Sequence, residues 1–170
     1  LAVQLPLFED TVAHIDLLRG PEGWRAVDGP KARIPDMLEQ DYHAMVLGVR
    51  DYLRKSGFAK VLLGLSGGID SAIVATIAAD AIGAENVRCV MLPSDYTSES
   101  SLQDAKAVAE NLGCAYDFVP ITEGQAAITG TLAPLFVGTQ PNLTEENIQS
   151  RLRGLLLMAL SNKFGEMLLT

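Results

Sequence analysis

Short apolar segments alternate with longer helical patterns along most of this chain, and this alternation limits the fold more than any other feature. The apolar segments are bounded by glycine or polar residues, as buried strands are. They cover residues 60–65, 87–92, 115–119 and 167–170. Helical patterns cover residues 37–56, 70–82, 98–112, 125–136 and 144–163. Strands separated by helices pair in parallel, so the sequence predicts an α/β fold with helices on both faces of a parallel sheet.

The first 36 residues differ from this pattern because proline and glycine interrupt them repeatedly. Four prolines and three glycines fall between Pro6 and Pro35. Such a density marks turns and loops. We therefore predict a linker or edge segment over residues 1–36 and one domain over residues 37–170, a length that can bury a core without a metal or a disulfide.

Composition argues against several function classes. The net charge of −8 disfavours a protein that coats nucleic acid, since phosphate neutralisation needs clustered Lys and Arg. No segment is long and apolar enough to span a membrane. Cys89 and Cys114 lie in apolar segments without CxxC spacing, which favours reduced, buried thiols in a cytoplasmic protein. His14 and His43 are the only histidines, which disfavours a zinc site or a Ser-His-Asp triad.

One segment leads from the first apolar run into the next helix and carries the chemistry. It reads Leu-Leu-Gly-Leu-Ser-Gly-Gly-Ile-Asp-Ser over residues 62–71. Gly67 and Gly68 let the backbone approach an anion without a Cβ in the way. The free N–H groups and the positive end of the helix dipole then face that anion, and Ser66 and Ser71 can add hydroxyl donors. The segment predicts a phosphate-binding loop that is neither a Walker A motif nor a Gly-x-Gly-x-x-Gly motif.

Asp70 does not fit a plain anion site, because its carboxylate would repel phosphate. The conflict disappears if Asp70 holds Mg²⁺, whose charge bridges a carboxylate and a polyphosphate. The ordinary alternative is a tight turn in which Ser66 or Asp70 caps the following helix. The complete Ser-Gly-Gly-x-Asp-Ser string between a strand and a helix favours the phosphate site.

Residues 66–71 resemble the PP-loop of the ATP pyrophosphatases, which cleave ATP between the α- and β-phosphates. Two further segments narrow the resemblance to the synthetase domain of the glutamine-dependent NAD synthetases. Residues 91–98 with 104–105 resemble the stretch after that family's second strand, and residues 145–154 with 158–163 resemble its long helix. The resemblance covers about residues 37–170 in the same order. It implies a Rossmann-like parallel sheet of the adenine nucleotide alpha hydrolase fold.

The resemblance implies an adenylation that completes NAD biosynthesis. The carboxylate of deamido-NAD attacks the α-phosphate of ATP, pyrophosphate leaves, and ammonia displaces AMP to give the amide. The implied ATP-binding residues are Gly64, Leu65, Ser66, Gly67, Gly68, Ile69, Asp70 and Ser71. Asp70 would also coordinate Mg²⁺, and Asn147 and Arg151 would contact deamido-NAD.

Asn147 and Arg151 are four residues apart and therefore share one helix face. Arg151 can grip a phosphate or a carboxylate with a planar fork of donors. The alternative is a solvated face on which Arg151 pairs with Glu146 or Asn147. We expect this helix to begin with Thr144 as its N-cap. Its apolar residues belong in the core or in a subunit interface, since members of the family are homodimers.

Tyr96, Thr97 and Ser98 follow the second strand, at the edge where open α/β sheets bind ligands. Ser98 can equally serve as the N-cap of the next helix. We do not assign these three residues to the site.

The resemblance also implies neighbouring parts of a longer protein. Residues 1–36 resemble the connector that follows a nitrilase-like glutaminase domain, which supplies ammonia from glutamine. The family's Thr-Gly-Asn-Lys-Ser-Glu motif would follow Thr170. We therefore expect a domain truncated at its C-terminus that is weakly active or inactive alone.

Two other function classes share parts of these patterns. Another PP-loop ATP pyrophosphatase, GMP synthetase-like or tRNA-modifying, would share the loop, although the acidic balance disfavours a tRNA partner. A non-catalytic nucleotide-binding module would share the fold. Asp70 favours an enzyme, because a binding module has less need of a metal-binding carboxylate inside a phosphate loop.

Overall fold

A four-stranded parallel sheet organises residues 48–170, the larger of the two units into which the chain divides. The computed structural model describes residues 2–170. The strands in chain order are β1 (Leu17–Gly20), β2 (Gly23–Ala26), β3 (Val61–Gly64), β4 (Val87–Met91), β5 (Ala115–Phe118) and β6 (Met167–Leu169). The α-helices are α1 (Met37–Ser56), α2 (Ile69–Ile82), α3 (Glu99–Leu112), α4 (Thr122–Leu132) and α5 (Leu143–Phe164).

The strand order of the large sheet reverses at its central strand. The order is β5-β4-β3-β6, and every neighbouring pair is parallel. The chain moves outward from β3 through β4 to β5, and then returns to the other side of β3 with β6. Such a reversal leaves a crevice at the carboxyl end of the central strand, where open α/β sheets bind ligands.

Alternate residues of the inner strands point to opposite faces, and a separate apolar core lies on each face. Val61 and Leu63 pack with buried alanines of α2 and α3. Leu62 and Val90 pack on the other face, with Leu152 of α5. The predicted parallel α/β sheet with helices on both faces is confirmed.

All the predicted helices and strands are present, with ends displaced by a few residues, but the predicted cap of α5 is wrong. Asn142, and not Thr144, is the N-cap. The Asn142 carboxamide oxygen accepts the Thr144 N–H at 2.8 Å, and Glu145 accepts the Asn142 N–H at 2.8 Å. This capping box is reciprocal and satisfies two backbone donors, the N–H groups of Asn142 and Thr144. A hydroxyl at Thr144 could not satisfy both.

The smaller unit ends at Leu47 and contains more regular structure than its sequence predicts. β1 and β2 form an antiparallel hairpin, and Gln4 and Lys31 form an isolated parallel bridge. The hairpin strands are exposed along nearly their whole length, with Trp24 at 68%. Glycines border both short strands. Because such glycines are typical of turns and loops, the sequence predicts a linker here rather than a hairpin.

A buried carboxylate near the start of β6 is held by one arginine. Glu166 is 4% exposed and accepts hydrogen bonds from Arg88 Nε at 2.8 Å and Nη2 at 3.1 Å. Arg88 also donates from Nη1 to Asp117 at 2.8 Å and lies 4.8 Å from the centroid of the Phe164 ring. The hydrogen bonds to Glu166 and then to Asp117 raise the pKa of Arg88 further above its ordinary value. The cluster therefore ties β4 to β5 and to the start of β6.

Both cysteines are free thiols, as predicted. Cys89 is buried in β4, whereas Cys114 is half-buried just before β5. Burial raises the pKa of the Cys89 thiol to about 12, so this thiol is protonated at neutral pH. No helix in the described part of the chain combines the length and the hydropathy needed to cross a bilayer.

Replacing Arg88 with methionine should destabilise the fold strongly. Arg88→Met leaves the buried Glu166 carboxylate without its partner, which costs about 3–5 kcal/mol. Adding Glu166→Gln removes that charge and should restore part of the loss. Asp117→Asn is the control and should cost less than about 1 kcal/mol, because the Asp117 side chain is 43% exposed. Urea unfolding measures these variants, and equal losses for Arg88→Met and Asp117→Asn would contradict the role given to Glu166.

Candidate functional site

The turn between β3 and α2 presents backbone N–H groups at the carboxyl end of the central strand. Beyond β3, the Leu65 N–H extends the sheet by donating to the Val90 carbonyl at 2.9 Å. α2 then begins at Ile69 with Gly68 as its N-cap, and no side chain makes a capping hydrogen bond there. The first N–H groups of α2 and the positive end of its dipole can therefore face an anion. The alternative in which Ser66 or Asp70 caps this helix is wrong.

Two serines hold this turn in shape through their hydroxyl groups. Ser66 Oγ accepts the Gly68 N–H at 3.2 Å, and Ser71 Oγ accepts the Ser66 N–H at 3.2 Å. Ser71 Oγ also donates to the Gly68 carbonyl at 3.0 Å and lies 3.1 Å from Ser66 Oγ. Because Ser66 is exposed, an incoming anion can replace its hydroxyl as the acceptor for the Gly68 N–H.

Gly67 is the point at which the turn touches a neighbouring helix. Its φ of +82° lies in the left-handed region, which favours glycine. A Cβ at this position would lie 2.9 Å from the Ser101 Cα and 3.0 Å from its carbonyl carbon, and it would overlap the Ser101 carbonyl oxygen. Both the backbone conformation and the contact with α3 therefore require glycine here.

Two cavities open beside the turn. The larger, of about 370 Å³, has walls that include Gly64, Leu65, Ser66, Thr97, Arg153 and Leu157. The smaller, of about 240 Å³, has walls that include Gly64, Ser66, Asp70, Ser71 and Thr170. Since Gly64 and Ser66 border both cavities, a ligand that occupied both would cross the turn.

The eight predicted ATP-binding residues all lie in or beside this turn. Some of them border a cavity, and the others form the turn or the start of α2. The larger cavity is bordered by Gly64, Leu65 and Ser66, and the smaller by Gly64, Ser66, Asp70 and Ser71. Gly67 and Gly68 form the turn itself, and Ile69 is 79% exposed on the first turn of α2.

The walls of the two cavities differ in chemistry. Leu65 and Leu157 give the larger cavity an apolar surface. The carboxylate of Asp70 and the hydroxyls of Ser66 and Ser71 give the smaller one oxygen donors, the ligand type that Mg²⁺ prefers. Within residues 2–170, no group of three or more His, Cys, Asp or Glu side chains could hold a metal ion.

Asn147 and Arg151 lie on an exposed face of α5. Arg151 Nη1 donates to Asn147 Oδ1 at 3.3 Å. This is the pairing expected if the two residues lie on a solvated helix face. Arg153 comes two residues later and so lies about 200° further around the helix, where it borders the larger cavity. The structure therefore separates Asn147 and Arg151 from the cavities at the turn of the same chain.

Arg153 is a residue of the cavity wall that our sequence prediction missed. Its Nε donates to the Leu92 carbonyl at 2.9 Å, just beyond the end of β4. The signal in the sequence is a charged residue within the apolar stripe formed by Leu152, Leu156 and Leu160. An arginine on the inward face of a helix needs a polar partner, and here that partner lies at the site.

Comparisons with known proteins point to one family. A family model for NAD synthase matches residues 41–170. A glutamine-dependent NAD(+) synthetase of Rhodobacter capsulatus is 63% identical over 170 residues, which are all of this chain and 31% of that protein. The structure of the glutamine-dependent NAD+ synthetase from Acinetobacter baumannii in complex with ADP matches 98% of this chain and 31% of its own, with a TM-score of 0.90 and 41% identity. The NH3-dependent NAD synthetase from Campylobacter jejuni matches 79% of this chain and 56% of its own, with a TM-score of 0.70 and 25% identity. The chain thus spans about three tenths of the length of the two glutamine-dependent proteins.

Replacing Gly67 with alanine should weaken the binding of inorganic pyrophosphate at least about tenfold, because left-handed strain of about 1–2 kcal/mol is added to the overlap with Ser101 and both change the shape of the turn. Gly138→Ala is the matched control. Gly138 has a φ of +83° and no other atom within 4 Å of an added Cβ, so it adds similar strain without an overlap. Isothermal titration calorimetry measures both variants. Wild-type affinity in Gly67→Ala would contradict the role of this turn.

Proposed function

Because the chain belongs to the NAD synthase family, we propose that it forms the ATP-binding synthetase domain of a glutamine-dependent enzyme that converts deamido-NAD to NAD. One observation carries the proposal: α2 begins without a side-chain cap, behind two glycines, at the carboxyl end of the central strand. Backbone amides in that position suit a polyphosphate. The ADP bound to the Acinetobacter baumannii relative supports an adenine nucleotide as the ligand.

ATP suits the two cavities as a ligand with an apolar end and a charged end. The apolar wall that includes Leu65 and Leu157 suits the adenine base. The turn and the smaller cavity suit the phosphates, because amides and hydroxyls converge there. The α-phosphate would then lie near the turn, between the two ends.

The proposed reaction uses ATP to activate a carboxylate. A carboxylate oxygen of deamido-NAD forms a bond to the α-phosphorus, the bond from that phosphorus to the bridging oxygen breaks, and pyrophosphate leaves with the electron pair. Ammonia then attacks the carboxyl carbon and loses a proton to the solvent, and AMP leaves with the oxygen that joined it to that carbon, which gives the amide of NAD. No protein nucleophile is needed, so the chain contributes orientation and stabilises charge on the departing pyrophosphate.

Mg²⁺ fits the oxygen donors at the smaller cavity, and Asp70 would hold it there. Bound Mg²⁺ would neutralise part of the charge of the polyphosphate. Asp70 is exposed on the first turn of α2, so its carboxylate can reach a cation that also contacts phosphate oxygens. This arrangement gives an acidic residue a function within an anion site.

We assign deamido-NAD to Asn147 and Arg151 on the exposed face of α5. Leu155 and Met158 continue that face at helical spacing and are 64% and 47% exposed. A second copy of the chain that covered this face would remove apolar surface from water, which supports a homodimer. The acceptor would then bind beside the interface of the two copies.

Ammonia would come from glutamine in another domain of the same protein. The Rhodobacter capsulatus relative, which is glutamine-dependent, matches the whole of this chain with only 31% of its length. Residues 1–36 would connect the two domains, and the exposed Leu17, Leu18 and Trp24 suit a segment that a neighbouring domain covers. A cytoplasmic location fits the free thiols of Cys89 and Cys114.

The proposed function predicts that the chain, expressed with the natural sequence that flanks it, converts deamido-NAD to NAD. ATP, Mg²⁺ and ammonia should support the reaction, with one AMP and one pyrophosphate released for each NAD. Asp70→Asn should lower the apparent affinity for Mg²⁺ by at least about 10-fold, because the loss of a metal ligand costs no less than the loss of a group that only orients one. Chromatography of the nucleotides during a Mg²⁺ titration measures both effects.

Asp80→Asn is the matched control, since Asp80 lies near the other end of α2 and should leave the Mg²⁺ requirement unchanged. An unchanged requirement in Asp70→Asn would remove Asp70 from the metal site. Release of AMP with another acceptor, without NAD, would show that the chain serves a different ATP pyrophosphatase.

The proposed interface predicts that Leu155→Glu separates the two copies. A charge at the centre of a buried apolar contact costs more than the contact contributes, so the variant should be monomeric. Val137→Glu is the control, because Val137 is 83% exposed outside α5. Sedimentation of the flanked chain measures the mass. A Leu155→Glu dimer would exclude this face as the interface.

A further inference from the structure

The first turn of α3 forms a wall behind the phosphate-binding turn. Gly67 packs directly on the backbone of Ser101, close enough that a Cβ would overlap it. Just before α3, Thr97 borders the larger cavity. The end of the segment between β4 and α3 and the first turn of α3 itself therefore each touch the site.

Ser98 holds this first turn together. It is the N-cap of α3, and its Oγ accepts the Ser101 N–H at 3.2 Å. The same oxygen is hydrogen-bonded to Ser101 Oγ at 2.9 Å and to Ser100 Oγ at 3.0 Å. Later turns of α3 are fixed by the core through Ala105 and Ala109, which are fully buried. Loss of the cap would therefore affect mainly the turn that reaches Gly67.

We propose that Ser98 is a positioning residue for nucleotide binding: by capping α3, it keeps Ser101 against Gly67 and so fixes the phosphate-binding turn. The proposal rests on the proposed function, because it concerns how this same turn is held for ATP. Ser98 acts through Ser101 and Gly67.

The physical reason is the flexibility of the two glycines. A glycine backbone loses more conformational freedom on ordering than any other residue. When α3 supports Gly67, that cost is met during folding, and the nucleotide finds the amides already in place. Without the cap the first turn of α3 frays, and ATP itself must order the turn. Binding weakens, whereas the reaction of bound ATP is unchanged.

Ser98→Ala should therefore raise the Kd for ADP and the KM for ATP about three- to tenfold, with kcat within about twofold, as the usual contribution of an N-cap implies. Ser98→Asn supplies a strong, uncharged cap and should bring both constants back to within about twofold of wild type. Calorimetry with ADP and steady-state kinetics with ATP measure these effects, on the chain with its natural flanking sequence.

Two controls separate positioning from other roles of Ser98. Ser100→Ala removes a hydroxyl of the same cluster but keeps the cap, and Asp117→Asn weakens the ion pair between Asp117 and Arg88, which involves neither the cap of α3 nor Gly67. Neither should change the Kd for ADP. Wild-type affinity in Ser98→Ala, or no recovery in Ser98→Asn, would overturn the positioning role. If the wild-type chain binds no ADP, the proposed function fails instead, so the two failures are distinguishable.

Discussion

The close contact between Gly67 and Ser101 is the constraint on which the site depends. It joins the turn after the central strand to the helix that follows the next strand, and it permits no side chain at Gly67. The strand before Gly67 and the later turns of the helix that contains Ser101 are each held by the core. β3 is buried between two apolar cores, and α3 is anchored by its alanines. The fold therefore positions the turn, and the uncapped amides of α2 lie at one defined place.

The two faces of α5 differ in what they contact. Its inward face packs Leu152 into the core and directs Arg153 and Leu157 to the larger cavity. Its outward face carries Asn147 and Arg151, which are hydrogen-bonded to each other. One helix thus shapes a cavity within its own chain while it exposes polar and apolar groups on its opposite face. In an acidic protein, Arg153 is also a rare positive charge at the cavity.

Local patterns predicted the fold and the position of the glycine turn between β3 and α2 well, because both depend on residues that are close in sequence. The hydrophobic run and the neighbouring glycines predict the strand at residues 60–65 and the helix after it. The turn between them lies within residues 62–71, so its pattern is also local. The capping box is equally local: the Asn-x-x-Glu spacing of residues 142–145 marks Asn142 as the N-cap, so the prediction of Thr144 is wrong. The contact of Gly67 with Ser101 and the bond from Arg153 to Leu92 join residues 34 and 61 positions apart, so no local pattern reveals them.

The central claim is that ATP is opened at its α-phosphate by the carboxylate of the acceptor, and following one oxygen atom tests it most directly. Deamido-NAD labelled with ¹⁸O in both carboxylate oxygens is converted in the presence of ATP, Mg²⁺ and ammonia, and the products are analysed by mass spectrometry. One labelled oxygen should appear in the phosphate of AMP and the other in the amide of NAD, with none in pyrophosphate. AMP without the label would contradict adenylation of the carboxylate.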